Sequence, residues 1–250
     1  MPAKITLEVC ANSVASALAA QEGGAVRVEL CENLTQAGTT PSCGQIAVSR
    51  KLLTIDLYVL IRPRAGDFLY TDTEFGIMMA DVATCIDIGC DGIVIGILNA
   101  DGSVDKQRCA KLVNMAKQAG LGVTFHRAFD VCSDFYLALE DIIELGCDRI
   151  LTSGGKTTAM EGAATLIKLV RKADGRIKIM AGSGIDENNV ANLIHYTGVT
   201  EIHSSASKLT ESSMLHYNNE IIMGKQYHDL YTYKSTDATR VKNLISKANA

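Results

Sequence analysis

Short β-rich runs alternate with longer stretches of helical spacing along the whole chain. Eight runs predict strands: Ile5–Ala11, Arg27–Cys31, Asp56–Arg62, Gly92–Leu98, Gly122–Phe129, Arg149–Gly154, Ile177–Gly182 and Thr200–Ser205. Between them the apolar spacing predicts helices, as over Asp105–Ala119 and Asp134–Gly146. Asn12 or Ser13, Asp105, Asp134 and Asp186 stand where helix starts need a side-chain acceptor. Gly89, Gly120, Gly146 and Gly198 stand where helices end. Such alternation means βαβ crossovers and a parallel sheet. Eight units predict a closed (β/α)8 barrel forming one domain over residues 1–250. An open doubly wound sheet is disfavoured, because the first strand runs into Ala11-Asn12-Ser13-Val14 with no glycine-rich dinucleotide turn. Residues Ser207–Ser235 break the pattern before a last helix near Asp237–Lys247. They predict an ordered insertion that extends the mouth of the barrel or meets another subunit.

Side chains alternate across a strand, and one parity of each stave fills a barrel's interior. With Leu7 and Val9 turned to the helices, Glu8 and Cys10 face inward. With Val28 and Leu30 outward, Glu29 and Cys31 face inward, so neighbouring staves repeat Glu-x-Cys. Arg62 ends the third strand, His126 faces in on the fifth, and Glu201 and His203 face in on the eighth. Glu8, Glu29, Arg62, His126 and His203 therefore converge. Buried charges cost several kcal/mol each unless paired, roughly, so this set must pair or touch solvent. Two interpretations follow: an internal ion-pair network that fills the barrel, or a site at the carboxyl ends of the strands, where this fold keeps its chemistry. A Schiff-base aldolase is disfavoured, because Lys178 enters the seventh strand at its wrong end and Met180 takes the inward position nearer the mouth. Lys178 is expected to pair with Glu201 at the bottom of the barrel.

Three loops carry small polar residues: Ser153-Gly154-Gly155 after the sixth strand, Gly182-Ser183-Gly184 after the seventh, and Ser204-Ser205 after the eighth. Glycine lets backbone N–H groups approach an anion closely, and late loops of this fold often bind phosphate. Together they predict an anion-binding rim. The loop after the third strand adds Arg62 and Arg64, which suit carboxylate or phosphate. Alternatively, Arg64 pairs with Asp67 on the surface.

Composition narrows the choice. A net charge of −4 with no basic block argues against nucleic acid. No apolar run approaches a membrane span, and Met1–Ala11 does not resemble a signal peptide. The eight cysteines form no C-x-x-C pair, so they are expected to be reduced cytoplasmic thiols, mostly buried as small hydrophobes.

Several segments in order resemble the CutC family: Leu7-Glu8-Val9-Cys10, Arg27-Val28-Glu29-Leu30-Cys31, Gly38-Thr39-Thr40-Pro41-Ser42, Ile61-Arg62-Pro63-Arg64, Gly66-Asp67-Phe68, Thr124-Phe125-His126-Arg127-Ala128-Phe129-Asp130, Leu151-Thr152-Ser153-Gly154, Met180-Ala181-Gly182 and His203-Ser204-Ser205-Ala206. The chain departs from the family pattern at Ala37 and Ala65, where the family usually has glycine. The resemblance implies a (β/α)8 barrel, a cytoplasmic homo-oligomer (dimer or tetramer) and a role in copper homeostasis. Cu(I) prefers thiolate ligands, so Cys10 and Cys31 become the metal candidates, completed by His126 or His203. On a second interpretation the chain is an enzyme acting on a small anionic or phosphorylated substrate. Glu8 or Glu29 and His126 would then be the acid/base pair, Arg62 and Arg127 would position the anion, and Asp130 and His203 would complete the site. A third is a scaffold that uses the Ser207–Ser235 insertion as its contact.

Overall fold

Eight strands pair in parallel, each with the next, and the last pairs with the first, so the sheet closes into a barrel. The computed structural model describes residues 4–218, 220–221 and 230–250. The strands are β1 (Thr6–Ala11), β2 (Arg27–Leu30), β3 (Asp56–Leu60), β4 (Gly92–Ile95), β5 (Gly122–Phe125), β6 (Arg149–Thr152), β7 (Lys178–Gly182) and β8 (Glu201–Ser204). The helices between them are α1 (Val14–Glu22), α2 (Cys43–Leu52), α3 (Asp72–Ile88), α4 (Lys106–Gln118), α5 (Phe135–Glu144), α6 (Ala163–Ala173) and α7 (Val190–Thr197). Helix α8 (Ala238–Ala248) closes the outer ring after the insertion.

The expected alternation explains this arrangement. Ser13, Asp105 and Asp134 each accept a backbone N–H at the start of α1, α4 and α5. Helix α4 buries Cys109, Leu112, Val113 and Ala116, at helical spacing, against the sheet. Leu7, Val9, Val28 and Leu30 all lie in the outer core between strands and helices. Cys10, Cys31, Tyr58, Leu60 and Val94 form a separate inner cluster, as the strand parity requires.

Strands β3, β4, β5 and β6 end earlier than expected, and two of the boundary differences have a visible cause. Strand β5 stops at Phe125, because His126 caps a short 3-10 turn over Arg127–Val131. Helix α7 starts at Val190, several residues after Asp186, whose carboxylate instead accepts the N–H of Asn188 in a preceding turn. Within the irregular stretch after β8, β9 (Ser207–Glu211) pairs antiparallel with β10 (Thr232–Thr236). Residues 219 and 222–229 of that stretch lie outside the described residues. No described helix is long and apolar enough to cross a membrane.

Candidate functional site

The lower half of the barrel interior is built from charges that satisfy one another. Arg27 opens β2, facing inward by the same parity that turns Val28 out, and its guanidinium binds the Glu8 carboxylate and, at 2.9 Å, that of Glu201. Arg149, at the start of β6, reaches Glu201 at 3.0 Å from the other side. Both guanidinium groups stack on the Tyr58 ring, each 5.1 Å from its centre. The ring fits because Gly92 and Gly122 carry no side chain; a Cβ on either would collide with it. The expected Lys178–Glu201 pair is therefore not made: Lys178 is exposed, and two arginines from inside the barrel hold Glu201. The sequence contained the sign of this, since the parity rule that turns Glu29 inward does the same for Arg27.

Above this layer, His203 lies between two carboxylates. Its Nδ1 is 2.8 Å from Glu8 and its Nε2 is 3.4 Å from Glu29. Register explains the contact, because Glu8 stands opposite Arg27 on one side and His203 on the other. Burial disfavours charge on Glu8, but Arg27 and then His203 outweigh it and hold the carboxyl down at about 2. Burial likewise opposes the His203 charge, and Glu8 and Glu29 overcome it, so its pKa is raised. Glu29 lacks a close arginine; burial pushes its carboxyl up, and the neighbouring Glu8 charge adds to that against the pull of His203.

The two thiols sit beside Glu29. The Cys10 and Cys31 sulfurs are 3.4 Å apart. The contact with Cys31, then burial, then the Glu29 carboxylate raise the Cys10 thiol well above its ordinary value. Cys10, Glu29 and His203 each present a ligand atom within 4.8 Å of the others. One soft sulfur, one carboxylate oxygen and one imidazole thus face a common point, with the second sulfur directly behind.

At the mouth, Arg62 and His126 stand against Phe68. The Arg62 guanidinium donates to the carbonyl oxygens of Gln36, Gly38 and Gly66, tying two loops together, and also meets the Tyr70 hydroxyl. The His126 Nδ1 accepts the N–H of Ala128 at 3.1 Å, which puts the ring hydrogen on Nε2, without a partner among the described residues. Burial, then the Arg62 charge, depress this imidazole to about 3, so it is neutral near pH 7. Gly96 makes room for the ring: a Cβ there would collide with the His126 imidazole. Gly96 did not stand out in the sequence, where it is one glycine in an apolar run.

These groups line one cavity of about 470 Å³ at the carboxyl ends of the strands. Of the expected site residues, Cys10, Glu29, Arg62, His126, Arg127, Asp130, Ser183, Gly184, His203, Ser204 and Ser205 line it. Glu8 lies beneath and Cys31 behind. Gly182 supports from the strand, since a Cβ there would strike Leu151. Arg64 does not take part; it pairs with Asp67 at 2.8 Å and Glu74 at 2.6 Å on the surface. The expected rim at Ser153, Gly154 and Gly155 is filled from within the chain. The Asp130 carboxylate accepts the N–H groups of Ser153 and Gly155 and the hydroxyls of Thr152 and Ser153. Arg127 binds the same carboxylate at 2.7 Å, so Asp130 and Arg127 spend their charges on each other and on this loop.

Comparison with known proteins agrees with the residue patterns. A CutC family protein of Xylella fastidiosa is 49% identical over 240 residues, covering 96% of this chain and 87% of its own. One of Bacteroides thetaiotaomicron is 48% identical, covering 97% of each. The structure of the Streptococcus agalactiae protein assigned as copper homeostasis protein CutC superposes with a TM-score of 0.76 at 34% identity, covering 80% of this chain and 98% of that one. The CutC family model matches residues 5–208, the span of the barrel strands and the mouth, and the chain belongs to the CutC family.

Proposed function

We propose that this protein binds Cu(I) at the Cys10–Cys31 thiol pair and serves copper homeostasis in the cytoplasm. The observation that carries the proposal is the 3.4 Å separation of two sulfurs beside an inward-facing carboxylate and imidazole. Two soft ligands this close suit a monovalent soft ion, and harder divalent ions prefer oxygen-rich shells. The Streptococcus agalactiae relative, assigned to copper homeostasis, supports the same ion. Eight free cysteines fit a reducing compartment. Exposed Leu209, Met214, Leu215 and Tyr217 around the insertion support a homo-oligomer joined there. Titrating reduced protein with Cu(I) against a tight competing chelator tests the proposal. The wild type is expected to compete at one equivalent and the Cys10→Ser, Cys31→Ser variant to fail; equal behaviour of the two would sink it.

A second reading, an enzyme acting on a small anion, is favoured by a different observation. Glu29 has a carboxyl pKa raised by burial, lies next to His203 and opens onto the cavity. A carboxyl whose burial raises its pKa, in contact with an imidazole, suits proton abstraction and return. Glu29 and His203 are then the acid/base pair, and His126, neutral and donating from Nε2, faces the substrate's oxygen. Saturable binding of a small carboxylate or phosphate at the mouth supports this reading, and its absence removes it.

A further inference from the structure

The loops after β7 and β8 meet over the cavity next to His203, and Ser183, Gly184, Ile185 and Ser205 line it there. Ser183 and Gly184 both have left-handed backbone, with φ of 81° and 69°. Among the described residues, no protein acceptor takes the N–H groups of Ser183, Gly184, Ile185 or Ser205. The nearby side chains point their donors elsewhere: Ser183 Oγ donates to Thr157 O and Ser204 Oγ to Ile185 O. Unpaired successive N–H groups in a turn form a concavity for an anion. The loop after β6 shows this within the same chain, where Ser153 and Gly155 N–H groups grip the Asp130 carboxylate. There the donors come from alternate residues, a two-pronged fit to a planar group. After β7 three consecutive N–H groups lack a protein acceptor, as does a fourth in the next loop on the same cavity, a number of donors that suits a tetrahedral group.

A second, independent feature lies on the same cavity. His126 is 4% exposed, and its Nε2 donor has no partner among the described residues. A buried donor without an acceptor costs about 1–3 kcal/mol, so it marks a place where an acceptor belongs. Leu34, Phe68 and Leu151 line the cavity as its apolar wall.

We propose that the cavity takes a small phosphomonoester that also carries a carbonyl or carboxylate oxygen. The phosphate sits on the N–H groups of Ser183–Ile185 and Ser205, and the second oxygen accepts from His126 Nε2. The proposal rests on the second reading above, that the mouth is a small-anion site, and names the class of anion. It does not involve the thiol pair.

The test uses copper-free, reduced protein and three probes: inorganic phosphate, acetate and phosphoglycolate. Calorimetry gives affinities, and backbone amide NMR shifts locate binding without any variant. Phosphate is expected to bind saturably and to shift the amides of Ser183, Gly184, Ile185 and Ser205. Ser205→Glu places a carboxylate at that rim and is expected to weaken phosphate at least tenfold. Phosphoglycolate is expected to bind at least tenfold tighter than phosphate, a gain lost in His126→Ala. Acetate on those amides with no phosphate binding overturns the phosphate class and leaves the small-anion reading standing. Neither anion binding removes both. Phosphate binding without a gain for phosphoglycolate overturns the two-ended arrangement.

Discussion

The Cys10 thiol holds its proton at neutral pH, because contact with Cys31 and burial raise it well above its ordinary value. A Cu(I) ion bound there would displace that proton, so its affinity should fall on acidification by about tenfold per pH unit for each proton released. Chelator competition at pH 6, 7 and 8 measures this, and a pH-independent affinity would argue against thiolate ligands. Glu8 behaves in the opposite sense to a buried acid without partners. Its pKa is depressed from 4.5 to about 2, so the stability it contributes is complete above 4.5 and is lost as pH falls through about 2. Glu8→Gln should lower stability at pH 7 by about 3–5 kcal/mol, because Arg27 stays buried with one partner fewer. Denaturant melts between pH 5 and 2 should show a flatter acid limb for the variant than for the wild type. Glu8, Glu29, Cys10 and Cys31 were legible from strand parity alone. The roles of Arg62 and Arg64 were not, because both follow β3 in one loop and only the fold separates them. Arg62 turns in to three carbonyls, and Arg64 turns out to Asp67 and Glu74.

Among the elements, the 3-10 turn at Arg127–Val131 and the loop after β6 act as one unit. Asp130 joins them by accepting two backbone N–H groups and two hydroxyls and by pairing with Arg127. Asp130→Ala leaves several of these donors without acceptors, and stability should drop by about 2–4 kcal/mol. Urea denaturation checks this, and a loss below 0.5 kcal/mol, roughly the scale of an unremarkable surface change, would contradict it. The glycines of that loop looked like a rim for an external anion. An acidic residue only two dozen positions upstream takes that place, and spacing could not reveal it, because the 3-10 turn that swings Asp130 over the loop has no sequence period of its own. The strand and helix order, by contrast, was readable throughout, since each unit carries its own apolar period and cap.

For the whole molecule, the charge cluster of Glu8, Arg27, Arg149 and Glu201 links β1, β2, β6 and β8 through the interior. Glu201→Gln should cost about 3–5 kcal/mol, whereas Lys178→Ala should stay within about 0.5 kcal/mol. Comparable losses for the two variants would restore the pairing that the sequence suggested. The same cluster, with Tyr58 packed between its arginines, fills the lower end of the barrel beneath the cavity. A well filled at its base imposes an order of traffic. If an ion sat on the Cys10 and Cys31 sulfurs and an anion on the loops after β7 and β8, the ion would enter first and leave last. Its release would then wait on departure of the anion above it, and the exchange rate of the inner guest would become a function of the concentration of the outer one.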